Sequence, residues 1–251
     1  NEKKMTKPEI TPIVSNRDVA SPFLTSIQES AVKPVEPVFL DFKKDMSQLT
    51  AKSDIPVLYK QNTTNDLFQL IYVFDNNDKA LGTAFDYLEY LGTSDMTPEE
   101  LKSEFYRLAC TFYVSPGNER TYVVLSGLNE NMPAAMQLFE KLLADAQVNK
   151  EAYDNLVGDI LKARADAKLN QGQNFSRLMN YAMYGPKSPA TNLLTEAELA
   201  SMNPQELVDR IHNQNNYKHR ILYYGPSSSK DLLATIEQYH QVPATLKDIP
   251  A

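Results

Sequence analysis

The spacing of apolar and polar residues predicts where the folded part of the chain begins. Residues 55–60 (IPVLYK) form a short strand candidate, which Pro56 limits to a sheet edge or a strand start. Residues 67–74 (LFQLIYVF) are almost uniformly apolar, as is typical of a central strand buried on both faces. Earlier residues sustain no helical period and are interrupted by Pro8, Pro12, Pro22, Pro34 and Pro37. We therefore predict an extended arm or interdomain linker over residues 1–45 and a single domain over residues 46–251.

A helical period begins a few residues after this apolar strand. Its stripe consists of Leu81, Ala84, Phe85, Leu88 and Leu91. Gly92 is expected to end this helix. A second helix is predicted to begin at Thr97, because Pro98 suits the first helical position and Glu100 completes a capping box.

The rest of the chain alternates between strand and helix patterns. Residues 111–114 and 121–125 are predicted strands, separated by a turn signal at 115–118. A last strand is predicted at 217–224 and a last helix at 230–239. The helices predicted between them cover residues 132–143, 149–169, 175–183 and 195–198, with one more from Asn203. Their methionine and aromatic stripes are assigned to the core: Met132, Met136, Phe139, Phe175, Leu178, Met179 and Met183. This order predicts an α+β fold, with one mixed, mostly antiparallel sheet and helices mainly on one face.

Composition narrows the possible partners. The chain has 251 residues, 42% of them hydrophobic, and a formal net charge of −7. Such an acidic chain argues against a nucleic-acid partner, which needs clustered Lys and Arg. Its apolar runs fall short of the ~18 residues that a membrane helix requires. Cys110 is the only cysteine, so the sequence predicts neither a disulfide nor a cysteine-based zinc site.

One stretch on the first helix carries the most specific signal. Residues 84–93 (AFDYLEYLGT) follow an apolar strand and an Asp-rich turn. Residues 97–101 (TPEEL) come next, and residues 125–131 (LSGLNEN) lie behind the paired strands. Together these resemble the insulinase/pitrilysin family of zinc peptidases, the inverzincins, whose active domains carry His-x-x-Glu-His on this helix. The resemblance covers the chain from about Ile55 to its end and implies the α+β fold of processing-peptidase domains.

The zinc ligands of that family are not matched here. The resemblance places Asp86 and Tyr90 at the two histidine positions and Glu89 at the glutamate that activates water. These three residues are predicted to share the helix face opposite the apolar stripe. The third ligand, a Glu on a later helix, would fall within residues 163–166, which read Ala-Arg-Ala-Asp. We therefore predict no catalytic residue and no metal in this segment, and we expect the zinc in a partner domain.

Other chemical candidates in the sequence are weaker. His212, His219 and His240 do not pair at i, i+4, so we assign them to the surface or to packing. Residues 227–230 match the Ser-x-x-Lys nucleophile pattern, but its companion motifs are missing from the sequence, so a helix cap is the simpler interpretation. Cys110 is expected to be buried and inert.

The resemblance implies a non-catalytic domain that shapes the substrate chamber of a zinc metallopeptidase or pairs with its catalytic half. Its partners would be homologous peptidase domains, in the same chain or another, and peptide substrate received by strand addition at a sheet edge. No residue can be assigned to substrate binding. The alternative is a free-standing, zinc-less scaffold or protein-binding subunit of the processing-peptidase type, and an unrecognised hydrolase site is a third possibility. Family analogy favours the periplasm if the source is bacterial.

Overall fold

The computed structural model describes residues 19–37, 39–75, 78–116, 120–185 and 192–249. The chain divides into two compact units, Asn1–Leu40 and Asp41–Ala251, and each is described by itself. The described part of the first unit contains one helix, α1 (Pro22–Gln28). This short helix lies within the residues predicted as an extended arm or interdomain linker, where Ser21 caps it and Pro22 takes the first helical position. Pro8 and Pro12 lie outside the described residues.

The second unit contains six strands and eight helices among its described residues. The strands are β1 (Ser47–Thr50), β2 (Pro56–Gln61), β3 (Leu67–Asp75), β4 (Cys110–Pro116), β5 (Arg120–Leu128) and β6 (Arg220–Gly225). The helices are α2 (Lys79–Leu88), α3 (Pro98–Arg107), α4 (Met132–Asp145), α5 (Lys150–Leu169), α6 (Gln171–Tyr184), α7 (Glu196–Ser201), α8 (Pro204–Asn213) and α9 (Ser229–Tyr239). Within the described ranges, no helix is long and apolar enough to span a bilayer.

The strands form one six-stranded sheet in the order β1-β2-β6-β3-β5-β4. The β2–β6 pair is parallel and the other pairs are antiparallel. The predicted α+β fold with a mixed, mostly antiparallel sheet is therefore confirmed. The last strand is shorter than predicted, because Tyr217 forms only an isolated bridge to Lys247 before β6 begins at Arg220.

The core lies between one face of the sheet and the helices. Strand β3 contributes alternate residues to it, among them Phe68, Leu70 and Tyr72, each at most 2% exposed. Helices α2 and α4 contribute their predicted stripes: Leu81, Ala84, Phe85, Leu88, Met132, Met136 and Phe139. The prediction that β3 is buried on both faces holds only for part of the strand. On the face away from the core helices Val73 is 2% exposed, whereas Leu67 is 51% exposed and Gln69 is also exposed.

Local capping signals in the sequence correctly place most helix starts. Thr97 and Glu100 form the predicted capping box at α3, and Thr195 forms another at α7. Asn149 caps the long helix α5, and Ser228 caps α9. The Ser-x-x-Lys match at residues 227–230 is thus a helix cap in the structure.

Candidate functional site

The position that would hold zinc in an active peptidase lies at the end of α2. Asp86 lies on the last turn of the helix and is exposed. The helix ends at Leu88, so Glu89 is its C-cap and Tyr90 lies in the following turn, 45% exposed. The prediction that the helix runs on to Gly92 with these three residues on one face is therefore corrected. The backbone forms a 3₁₀-type turn here. The N–H of Tyr90 donates to the carbonyl oxygen of Tyr87, and the N–H of Leu91 donates to that of Leu88.

The donor set at this position does not fit zinc. It consists of two carboxylates and a phenol, whereas zinc sites of this kind need imidazole nitrogens. Partial burial and the negative charge of Glu89 raise the pKa of Asp86. Among the described residues, no group of three or more His, Cys, Asp or Glu side chains is arranged to hold a metal ion. Residues 163–166 lie within α5, where Arg164 Nη1 donates to Leu194 O at 2.8 Å.

Tyr87, inside the same motif, holds the end of α2 against the start of α5. Its hydroxyl donates to Asn149 O at 2.5 Å and accepts from Asn149 N at 2.8 Å. Its ring meets that of Tyr153 edge-on at 5.7 Å. Tyr87 itself is fully buried. This residue therefore serves packing, which the sequence pattern alone did not indicate.

A buried polar cluster centres on Glu140 of α4, a residue that the sequence analysis missed. The Glu140 side chain is 1% exposed and accepts four hydrogen bonds. Its Oε1 accepts from Tyr72 Oη at 2.8 Å and from His240 Nδ1 at 2.6 Å. Its Oε2 accepts from Asn215 Nδ2 at 2.9 Å and from Gln241 N at 3.1 Å. Four hydrogen bonds therefore converge on one buried carboxyl group.

The two buried histidines of this cluster contact each other. His219 Nδ1 lies 2.7 Å from Tyr217 O, a pure acceptor, so this nitrogen carries a proton. Burial and the neighbouring His240 lower the pKa of His219 to about 4, so His219 is neutral near pH 7 and its Nε2 is an acceptor. His240 Nε2, 2.8 Å away, must then donate to it. His240 Nδ1 lies 2.6 Å from Glu140 Oε1, so His240 links His219 to the carboxyl group of Glu140.

This cluster uses every ring nitrogen of the two histidines, so neither offers a lone pair to a metal. His219 and His240 are packing residues, as predicted, but their contact with Glu140 has no signal in the sequence. His212 is half-buried and bonds to Ala146 O at 3.0 Å. Cys110 is buried, as predicted, and burial raises the pKa of its thiol.

The second feature of functional interest is the sheet face opposite the helices. A row of side chains runs across five strands in register: Leu58, Leu222, Ile71, Val124 and Tyr113. Most of these are half-buried, and Tyr113 is 47% exposed. Beside this row lies an open cavity of about 820 Å³, whose lining includes Gln69, Ser126 and Tyr224. A partly apolar sheet face without a helical layer is typical of a surface that meets another molecule.

Comparison with solved structures places this architecture among peptidases. The periplasmic protease PqqL from Escherichia coli matches at a TM-score of 0.66 and 15% identity, over 100% of this chain and 27% of that one. The peptidase M16 inactive domain from Pseudomonas fluorescens matches at 0.68 and 15% identity, over 82% of this chain and 52% of that one. The first half of PqqL matches at 0.65 and 14% identity, over 83% of this chain and 48% of that one.

These likenesses define the fold. The chain has the peptidase M16 fold, and the predicted insulinase/pitrilysin-like architecture is confirmed. No protein-family model matches the sequence, and none of the curated proteins matches it either. The chain spans between about a quarter and half of the length of these solved structures. The match therefore corresponds to a part of each of these structures.

Proposed function

We propose that this chain is a non-catalytic domain of a zinc metallopeptidase, in which it pairs with the zinc-binding half and forms part of the wall of the substrate chamber. The observation that carries the proposal is the end of α2. There a peptidase-type fold presents Asp86, Glu89 and Tyr90 and lacks both imidazoles. A domain with this donor set contributes surface to a peptidase, and the chemistry belongs to its partner.

Two further features support a role in the wall of the substrate chamber. The sheet carries a partly apolar face that its own helices leave uncovered, centred on Ile71 and Tyr113. The solved structure of similar fold that is named an inactive domain is about twice as long as the matched part of this chain. A domain of this fold therefore has precedent as a part of a larger, inactive segment. The edge strand β4, with exposed Thr111, Tyr113 and Ser115, is the place where an extended peptide could add to the sheet.

The test measures metal and activity separately. The purified chain should contain far less than one zinc per molecule and should cleave no unfolded peptide substrate by itself. The zinc-binding half of the same natural peptidase should bind the chain and gain peptidase activity from it. Stoichiometric zinc in the chain, or cleavage by the chain alone, would contradict a non-catalytic role. Binding without a gain in activity would favour the alternative, a zinc-less scaffold.

A further inference from the structure

Helix α6 exposes an apolar surface that the fold itself does not use. None of its residues is buried, and it carries the following exposed side chains: Phe175 (62%), Leu178 (63%), Met179 (44%), Tyr181 (55%) and Met183 (60%). The prediction that its methionine and aromatic stripe belongs to the core is therefore wrong. An apolar patch of this kind on one helix marks a surface that binds a protein, and methionine and aromatic residues are typical of such interfaces.

This surface continues into a groove between α5, α6 and the segment before α7. The groove has a volume of about 770 Å³. Its apolar walls come from Leu161 of α5, from Leu178 and Tyr181 of α6, and from Leu193 and Leu194 of the following segment. Leu178 therefore belongs both to the groove and to the exposed stripe of α6. A chain segment with apolar side chains could bury them here along both surfaces.

The groove is positively charged within an acidic protein. Its lining includes three basic residues, Arg164, Lys168 and Arg177, and one carboxylate, Glu196. Within the described ranges, none of these four forms an ion pair. The whole chain carries a formal charge of −7, so this groove opposes the general charge of the molecule. Complementarity therefore calls for an occupant with acidic side chains among its apolar ones.

A second copy of this chain is a poor occupant. In a two-fold dimer built on this groove, the same surface of each copy would meet, and Lys168 and Arg177 of one copy would approach those of the other. Like charges at such an interface cost free energy. The occupant should instead be a different surface of a neighbouring domain. The solved structures of similar fold extend well beyond the part that this chain matches, so neighbouring domains accompany this fold.

We propose that the α5–α6 groove receives an apolar segment bearing acidic side chains from the zinc-binding half of the peptidase. This proposal rests on the function proposed above and adds the contact by which the two parts recognise each other. Apolar burial against Leu178 and Tyr181 supplies affinity, and Lys168 and Arg177 supply orientation and discrimination.

Site-specific photocrosslinking in the assembled protein tests the groove. The chain carries p-benzoylphenylalanine at position 178 and is produced together with the zinc-binding half of the same natural peptidase. A matched control carries the probe at position 148, where Val148 is 46% exposed outside the groove. After irradiation, mass spectrometry should map the crosslink from position 178 to an acidic, apolar segment of the zinc-binding half. The control should give at least tenfold less of this product.

A charge reversal gives the second measurement. The Lys168→Glu, Arg177→Glu double variant should weaken binding of the zinc-binding half at least tenfold, and the loss should shrink at high salt. Lys102→Glu, on the exposed face of α3, should leave the affinity unchanged. Thermal unfolding of each variant checks that it folds, which is expected because both groove residues are exposed.

The outcomes separate this inference from the function on which it rests. If the chain binds the zinc-binding half but position 178 gives no more crosslink than position 148, the groove is not the contact and only this inference fails. A crosslink between two copies of the chain would also overturn it, in favour of a dimer. If the unmodified chain does not bind the zinc-binding half, the proposed pairing itself fails.

Discussion

At the scale of single residues, Glu140 and His240 form a buried hydrogen-bonded pair in the interior. Both side chains are almost fully buried. A buried polar group that loses its partner costs more than a surface pair contributes. Glu140 also joins three elements, because Tyr72 on β3 and Asn215 after α8 donate to the same carboxyl group. This cluster should therefore be sensitive to any change at Glu140.

Replacing Glu140 by Gln should show this sensitivity directly. The amide N–H groups of the glutamine would point at some of the four donors that now converge on the carboxyl group, so that a buried donor loses its acceptor. We expect the free energy of unfolding in urea to fall by about 1–3 kcal/mol. Glu237→Gln, an exposed position on α9, should change it by less than about 0.5 kcal/mol. Equal effects at the two positions would show that Glu140 is not the centre of a buried network.

His219 should make the stability of the fold depend on pH. Its pKa is about 4 in the folded chain and about 6.5 when unfolded, so the unfolded state takes up a proton first as the pH falls. Stability is therefore complete above pH 6.5 and should fall by up to about 3 kcal/mol as the pH drops from 6.5 to 4. Urea unfolding at a series of pH values measures this slope.

A matched pair of variants assigns the slope to this histidine. His219→Gln cannot titrate, so its unfolding free energy should vary less between pH 4 and 6.5. His212→Gln, at a half-buried position bonded to Ala146 O, should keep the slope of the parent chain. A slope that survives in His219→Gln would assign the pH dependence to other groups.

The sequence could not reveal this cluster, because its members are far apart along the chain. Tyr72, Glu140, Asn215 and His240 come from four separate elements or loops, and only the folded sheet brings them together. Their spacing matches no motif. In contrast, Asp86, Glu89 and Tyr90 are local in sequence, so their departure from the zinc-binding pattern was visible at once.

At the scale of elements, α4 and α6 show what periodicity does and does not indicate. Both helices have 14 residues and carry methionine and aromatic stripes. In α4 the stripe faces the sheet, and Met136 is fully buried. In α6 the stripe has no partner within the described chain, and Met179 is 44% exposed. A helical period predicts that a face is apolar, but the partner of that face depends on topology.

The two methionines allow a direct comparison. Met136→Ala should lower the free energy of unfolding by about 2–5 kcal/mol, because it leaves a cavity in the core. Met179→Ala should change it much less, because the residue is 44% exposed and has little packing to lose. Urea denaturation of both variants measures the difference. A large loss at Met179 would mean that α6 is covered within the isolated chain.

In the strands, too, an apolar pattern identifies an apolar face but does not show what covers it. Periodicity correctly indicated strand β3 and its central place in the sheet, with β6 and β5 as its neighbours. Its continuous apolar run suggested burial on both faces, yet the second face is only partly covered, as the exposure of Leu67 shows. Local sequence cannot distinguish a strand covered by its own helices from one covered by a neighbouring domain, because both require apolar residues on two faces.

At the scale of the whole molecule, the uncovered surfaces agree with a chain that works inside a larger architecture. The solved structures of similar fold are about two to four times longer than the part matched here. The sheet face opposite the helices (the open sheet face) and the exposed apolar stripe of α6 are separate surfaces on different elements. If the chain forms a chamber wall, one surface should serve assembly and the other should face peptide substrate.

The open sheet face should therefore affect substrate binding more than assembly. Tyr113 and Tyr224, each almost half exposed on this face, offer aromatic surface to an unfolded peptide. We expect the Tyr113→Ser, Tyr224→Ser double variant, assembled with the zinc-binding half, to raise KM for a peptide by about tenfold with little change in kcat. Such a pattern arises when contacts equally strong in the ground and transition states are removed. Val148→Ser should leave both constants unchanged. A fall in affinity between the halves, with KM unchanged, would instead make the sheet face the assembly surface and leave the substrate to another part of the chamber.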